Sequence, residues 1–157
     1  EPKRLNAIVS ALIKLSEEKD IIIPLHPRTK KLLNVNLDSA TYDTFINNSR
    51  IHITEPVSFL EMISLEKNAS LVLTDSGGVQ KEAYFFKKPC IIMRSETEWK
   101  EIVEVGAAII ADANEERIIE AYHHFKDNDT IEFPEIFGDG NAAEFICKEL
   151  INNKTRS

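Results

Sequence analysis

Cysteine is scarce in this 157-residue sequence. Cys90 and Cys147 are the only two, and neither sits in a C-x-x-C or Cys/His ligand spacing. That arithmetic argues against a disulfide framework and a cysteine zinc site, and reduced thiols in a cytoplasmic protein are the expectation. Basic charge is also in deficit: 19 Lys and Arg stand against 26 Asp and Glu, a net −7. Replacing the counterions of a nucleic-acid backbone needs the opposite balance, so nucleic acid is not an expected partner. Any anion bound here must be held by local geometry. No apolar run approaches the roughly 18 residues of a membrane span, and no signal-peptide pattern opens the sequence. Internal repeats and low-complexity segments are missing too. A soluble chain with no membrane partner is expected. The opening residues, EPKRLNAIVSAL, pass almost directly into a helical pattern, as they would if the sequence began inside a larger protein.

With 43% hydrophobic residues, the sequence can bury one core, so residues 1–157 are expected to form a single domain. Leu5, Ile8, Val9, Leu12, Ile13 and Leu15 recur at helical spacing, and the pattern stops near Asp20 before the unbroken run IIIPLH. Helical and strand-like stretches then alternate. HPRTKKLL, VSFLEMISLEKN, GGVQKEAYFFKK, ETEWKEIVEVG and NEERIIEAYHHF read as helices, and RIHITEP, SLVLTDS, PCIIMR and AAIIADA as strands. A last helix is predicted from about Asn141 to Asn152, after the turn FGDG. Residues 34–49 are polar and weakly patterned, a surface loop or a frayed helix. Five strands separated by helices imply right-handed crossovers and a parallel sheet covered on both faces, a doubly wound α/β fold.

Ligands of such sheets gather at the carboxyl ends of the strands. His26 and Arg28 follow IIIPL, Glu55 follows RIHIT, Ser76 with Gly77 and Gly78 follows LVLTD, and Arg94 follows PCIIM. Ser76 makes a poor nucleophile candidate: Thr74 stands where a nucleophile elbow needs glycine, and no histidine pattern supplies a base. The D-S-G-G run also occurs around the serine of chymotrypsin-like proteases, but those are all-β barrels. A phosphate cradle has a direct mechanism, because a helix N-terminus offers unpaired N–H groups and partial positive charge, and glycines admit an anion close to the main chain. Glu82, four residues beyond Gly78, lies one turn up the same face and could accept hydrogen bonds from two vicinal hydroxyls of a ribose. The plainer alternative is a tight strand-to-helix turn with Ser76 as N-cap. In the same plainer reading, His26 only ends a strand with its ring hydrogen-bonded, and Trp99 only packs.

The stretch LTDSGGVQKEAYFFKKPCIIMRSETEWKEIVEVG resembles the non-hydrolysing UDP-N-acetylglucosamine 2-epimerase family, whose pattern is close to LTDSGG, a hydrophobic residue, Q-E-E-A, then G-K-P and R-x-x-T-E. IIIPLHPRT is similar to the family's strand ending in H-P, and FGDGNAAEFICKEL to its closing Y-G-D-G-x-A helix. The resemblance implies the C-terminal, Rossmann-like half of a two-domain enzyme of the GT-B type, without its first strand and without the N-terminal domain that carries the catalytic acidic residues and lysine. That first strand would lie near the middle of the sheet. It further implies that UDP and a UDP-N-acetylhexosamine are the ligands, bound by Ser76, Gly77, Gly78, Glu82, Arg94 and His26, with no cofactor or metal and a homodimeric parent. The implied reaction interconverts UDP-N-acetylglucosamine and UDP-N-acetylmannosamine: the C2 proton is removed, UDP departs to leave a glycal, and UDP adds back after reprotonation on the other face.

Two positions depart from the pattern. Lys81 replaces the first glutamate of Q-E-E, and Trp99 stands where many members have an arginine expected to help hold the diphosphate, leaving that work to Arg94. The run Thr97, Glu98, Trp99 looks more like the branch acting on diacetamido-uronic UDP-sugars. Two other classes stay open: the donor-nucleotide domain of a GT-B glycosyltransferase, which would share the fold and the nucleotide site, and a non-catalytic UDP-sugar-binding module.

Overall fold

The computed structural model describes residues 1–128 and 130–154. Helices and strands alternate as α1 (Pro2–Leu15), β1 (Ile21–Pro24), α2 (Pro27–Asn36), α3 (Ser39–Ile46), β2 (Ile51–Thr54), α4 (Phe59–Asn68), β3 (Val72–Thr74), α5 (Gly77–Phe85), β4 (Cys90–Ile92), α6 (Lys100–Glu104), β5 (Ala108–Ile110), α7 (Glu115–Lys126) and α8 (Ala142–Lys154). Every strand pair is parallel, as expected where helices form the connections.

The strands divide into two sheets. β1 pairs with β2, and β3, β4 and β5 form a second sheet in that order. Registers align the strand ends: Pro24 lies opposite Thr54, and Thr74 opposite Ile92, itself opposite Ile110. The parallel α/β class is therefore as predicted, but among the described residues no ladder joins β1 to β3. α1 bridges the division. Its Ala11 and Leu15 pack with Ile91 of β4 and with Ile118, Ala121, Tyr122 and Phe125 of α7, while its Val9 packs with Leu33, Leu37, Phe45 and Ile51 around the smaller sheet. A third cluster, Val72, Ala83, Tyr84, Cys90, Ile92 and Ile102 with Ala107 and Ala108, seats α5 and α6 on the larger sheet.

Residues 34–49 are neither a loop nor a frayed helix. They complete α2 and form α3, which starts where the Asp38 carboxylate accepts from the Thr41 N–H at 3.0 Å. Phe45, 2% exposed, anchors this polar stretch beneath α1. The helix expected over ETEWKEIVEVG is shorter than its sequence pattern. It begins only after Trp99, because Thr97 and Trp99 are committed to contacts with α5. No helix among the described residues is long and apolar enough to cross a membrane.

Candidate functional site

β3 delivers the chain into α5 through Asp75 and Ser76. The Ser76 N–H donates to Thr74 Oγ1 at 3.0 Å, closing a short side-chain turn. Ser76 occupies the N-cap position of α5 with extended backbone (φ −87°, ψ 123°), but its hydroxyl makes no capping bond. Ser76 is the N-cap by position, as the plainer reading has it, but among the described residues the first N–H groups of α5 receive no side-chain cap. A Cβ placed on Gly78 would meet only Ser76 Oγ, at 3.8 Å, so the approach over this turn is open.

The loop after β4 closes one flank. Trp99 Nε1 donates to the Gly77 carbonyl at 2.8 Å, and Thr97 Oγ1 donates to Gln80 Oε1 at 2.6 Å while accepting from the Trp99 N–H at 3.0 Å. Gln80 is fully buried, and its Nε2 has no partner among the described residues. Gly77 must be glycine or force a shift, because a Cβ there would stand 3.0 Å from Glu98 Oε2. Glu98 is held in place by Arg94, whose two terminal nitrogens grip the carboxylate at 2.7 and 3.1 Å. That hydrogen-bonded guanidinium keeps the Glu98 carboxyl below the usual range. Arg94 thus lies beside the turn as predicted, but it is engaged rather than free.

Trp99 packs, and so does its neighbour Lys81. The Lys81 ammonium lies 4.2 Å from the Trp99 ring centroid and 4.5 Å from that of Phe137, and Trp99 meets Phe137 edge-on at 5.6 Å. The two departures from the family pattern are therefore in contact with each other. Tyr84 of α5 donates to the Pro134 carbonyl and touches Phe133 and Phe137, so residues 133–137 strap over this helix.

Glu82 is half-buried one turn into α5. Beside it lies a residue that the sequence reading missed. Glu66 of α4 is 4% exposed, and among the described residues neither of its oxygens has a hydrogen-bond donor. Burial first, and the Glu82 charge second, push its carboxyl up to about 7. A signal was present in the sequence: Glu66 follows Met62 by four residues, on the inward face of α4 with Ile63 and Leu65.

The second group lies at the end of the smaller sheet. His26 caps α2, its Nδ1 accepting from the Arg28 N–H at 3.2 Å, so the ring is hydrogen-bonded as the plainer reading held and Nε2 carries the proton of the neutral form. Glu55 lies 3.8 Å from the Lys30 ammonium. Among the described residues no hydrogen bond or ion pair joins His26, Arg28 or Glu55 to Ser76, Glu82 or Arg94.

Comparison with known proteins adds what geometry cannot. A family model described as UDP-N-acetylglucosamine 2-epimerase matches residues 1–151. A UDP-N-acetylglucosamine 2-epimerase of Methanocaldococcus jannaschii is 43% identical over 97% of the chain. A UDP-2,3-diacetamido-2,3-dideoxy-D-glucuronate 2-epimerase of Pseudomonas aeruginosa is 37% identical over 96%. The crystal structure of the M. jannaschii enzyme in complex with UDP-GlcNAc and UDP superposes with a TM-score of 0.83 at 42% identity, over 97% of this chain and 41% of that one. The chain spans about two-fifths of the length of these curated relatives, 41% and 40%. Its mixed α/β fold with parallel sheets matches that portion of enzymes of the GT-B type. A serine–glycine helix start at the end of a parallel strand, seated on a match that runs through every strand of the chain, places this protein in the UDP-N-acetylglucosamine 2-epimerase family.

Proposed function

We propose that residues 1–157 are one Rossmann-like domain that binds UDP for a UDP-N-acetylglucosamine 2-epimerase. The parent would interconvert UDP-GlcNAc and UDP-ManNAc, or a diacetamido-uronic derivative, by elimination and re-addition of UDP. The observation that carries this reading is the start of α5, where uncapped N–H groups, a free serine hydroxyl and an open Gly78 meet at the end of β3. Developing negative charge on departing UDP would be stabilised there by donors already in position. Ser76, Gly77 and Gly78 take the diphosphate, Glu82 accepts from the ribose hydroxyls, and Arg94 shares its guanidinium between Glu98 and a phosphate. His26 contributes Nε2–H from the second group. The catalytic acid and base are not assigned to residues of this chain.

Finer points belong to the same proposal: a cytoplasmic, homodimeric parent acting in polysaccharide biosynthesis. The free thiols Cys90 and Cys147 suit a reducing compartment. Calorimetric titration of this chain with UDP, and with UMP for comparison, tests the binding reading. Micromolar binding that requires the diphosphate supports it, and Ser76→Ala and Glu82→Ala should each cost about 1 to 3 kcal/mol where a buried partner is left unpaired. Affinity unchanged from the unsubstituted chain in both variants would sink the assignment. A donor domain of a glycosyltransferase would bind UDP equally well, and is separated by assaying epimer formation with the complete parent protein.

A further inference from the structure

We propose that Glu66 is a positioning residue for Glu82: its carboxyl group, protonated in the fold, donates a hydrogen bond to the Glu82 carboxylate and holds it towards the ligand's vicinal hydroxyls. The identity of that ligand rests on the nucleotide reading above; the carboxyl pair does not.

Glutamate is almost never fully buried without a partner. Glu66 is 4% exposed on α4, and no N–H or O–H of the described residues reaches either of its oxygens. Among the described residues, the titratable groups that interact with it are the Glu82 carboxyl of the neighbouring helix α5, whose charge helps to raise it, and the Cys90 thiol of β4. Neither is a cation, and α4 itself turns Lys67 outward. Two ionised carboxylates are both acceptors, so their contact becomes a hydrogen bond only when one of them carries a proton. Glu66 is the more deeply buried of the two and so is the one to keep it. Burial, together with the nearby Glu66, also pushes the Cys90 thiol up to about 12, so it stays neutral and adds no charge to the pair.

The consequence reaches the ligand through α5. Glu82 stands one turn beyond Gly78, and a protonated Glu66 behind it fixes which way its oxygens point. Raising the pH through about 7 removes that proton and sets two like charges against each other. Glu82 then turns from its seat and ribose binding weakens.

The test is UDP affinity of the 157-residue chain and of its Glu66→Gln variant at about pH 6 and about pH 8.5, a span that brackets the titration. Glutamine keeps the shape and a donor but cannot ionise, and comparing the two proteins at each pH cancels the titration of UDP itself. The expected result is equal affinity at the lower pH and roughly tenfold weaker binding by the unsubstituted chain at the higher. In a Glu82→Ala background the same exchange should change nothing. Infrared spectroscopy of the free protein supplies an arm that needs no ligand: a protonated-carboxyl band that titrates near neutrality and disappears in Glu66→Gln. Superimposable affinity profiles, or no such band, overturn the proposal. The band without UDP binding at any pH overturns the nucleotide reading and the ligand half with it, and leaves the carboxyl pair standing.

Discussion

Glu66 also makes stability depend on pH. Its carboxyl is raised from the ordinary 4.5 to about 7, so the folded protein holds a proton that the unfolded chain has released. With more protons bound in the native state, the contribution of Glu66 to stability is greatest below about 4.5 and falls as the pH rises towards 7. The full span corresponds to a ceiling of roughly 3 to 4 kcal/mol. Urea unfolding of the native chain against Glu66→Gln, at several pH values across that window, should give curves that diverge by this amount; parallel curves would remove Glu66 from the account. The two glycines divide differently. At Gly78 a Cβ meets nothing closer than 3.8 Å, so Gly78→Ala should leave unfolding unchanged within about 0.5 kcal/mol while its methyl group obstructs the anion seat and weakens UDP binding. Calorimetry and denaturation of the one variant check both halves. Ser76, Gly77 and Gly78 were legible in the sequence because a helix start is a local pattern. Glu66 was not, because its meaning lies in a contact with another helix.

Between α5 and the loop before α6, two hydrogen bonds set the site's wall. Among the described residues Thr97 supplies the only donor to the buried Gln80 oxygen, and Trp99 ties down the Gly77 carbonyl. Replacing Thr97 with valine keeps the shape but strands that oxygen, which should cost about 1 to 3 kcal/mol in urea unfolding and free residues 94–99, Arg94 among them, to move. A loss below about 0.5 kcal/mol would mean that the loop is held by Trp99 packing alone. Sequence periodicity extended the helix back to Glu96 because Glu, Thr, Trp and Lys carry no signal against it. What stops it is the tertiary commitment of Thr97 and Trp99. The opposite error occurred at α3, where too few apolar residues hid a helix that needs only Asp38 at its start and Phe45 in its middle.

Across the whole molecule, the division between β1 and β3 is the feature least visible in the sequence, since strand pairing is non-local while each strand's own pattern is not. The Ile21 N–H bonds to Arg50 and that of Leu25 to Thr54, so by alternation the Ile22 N–H points away from β2; the Val72 N–H bonds to Pro89, so that of Leu73 points away from β4. Both outer backbone edges are thus left without a strand partner among the described residues, and α1 packs against both sheets. One more parallel strand there would give the order β2, β1, inserted strand, β3, β4, β5, a doubly wound sheet with its reversal beside the start of α5. The expectation of a further strand between β1 and β3 therefore has a test at two amides. In any longer chain that supplies such a strand, native-state hydrogen exchange at Ile22 and Leu73 should slow at least tenfold relative to the 157-residue chain, with roughly 1.4 kcal/mol or more of added protection. Exchange at these positions that is the same in both chains would mean that the two sheets stay separate, and that the nucleotide site is built on the β3–β4–β5 sheet alone.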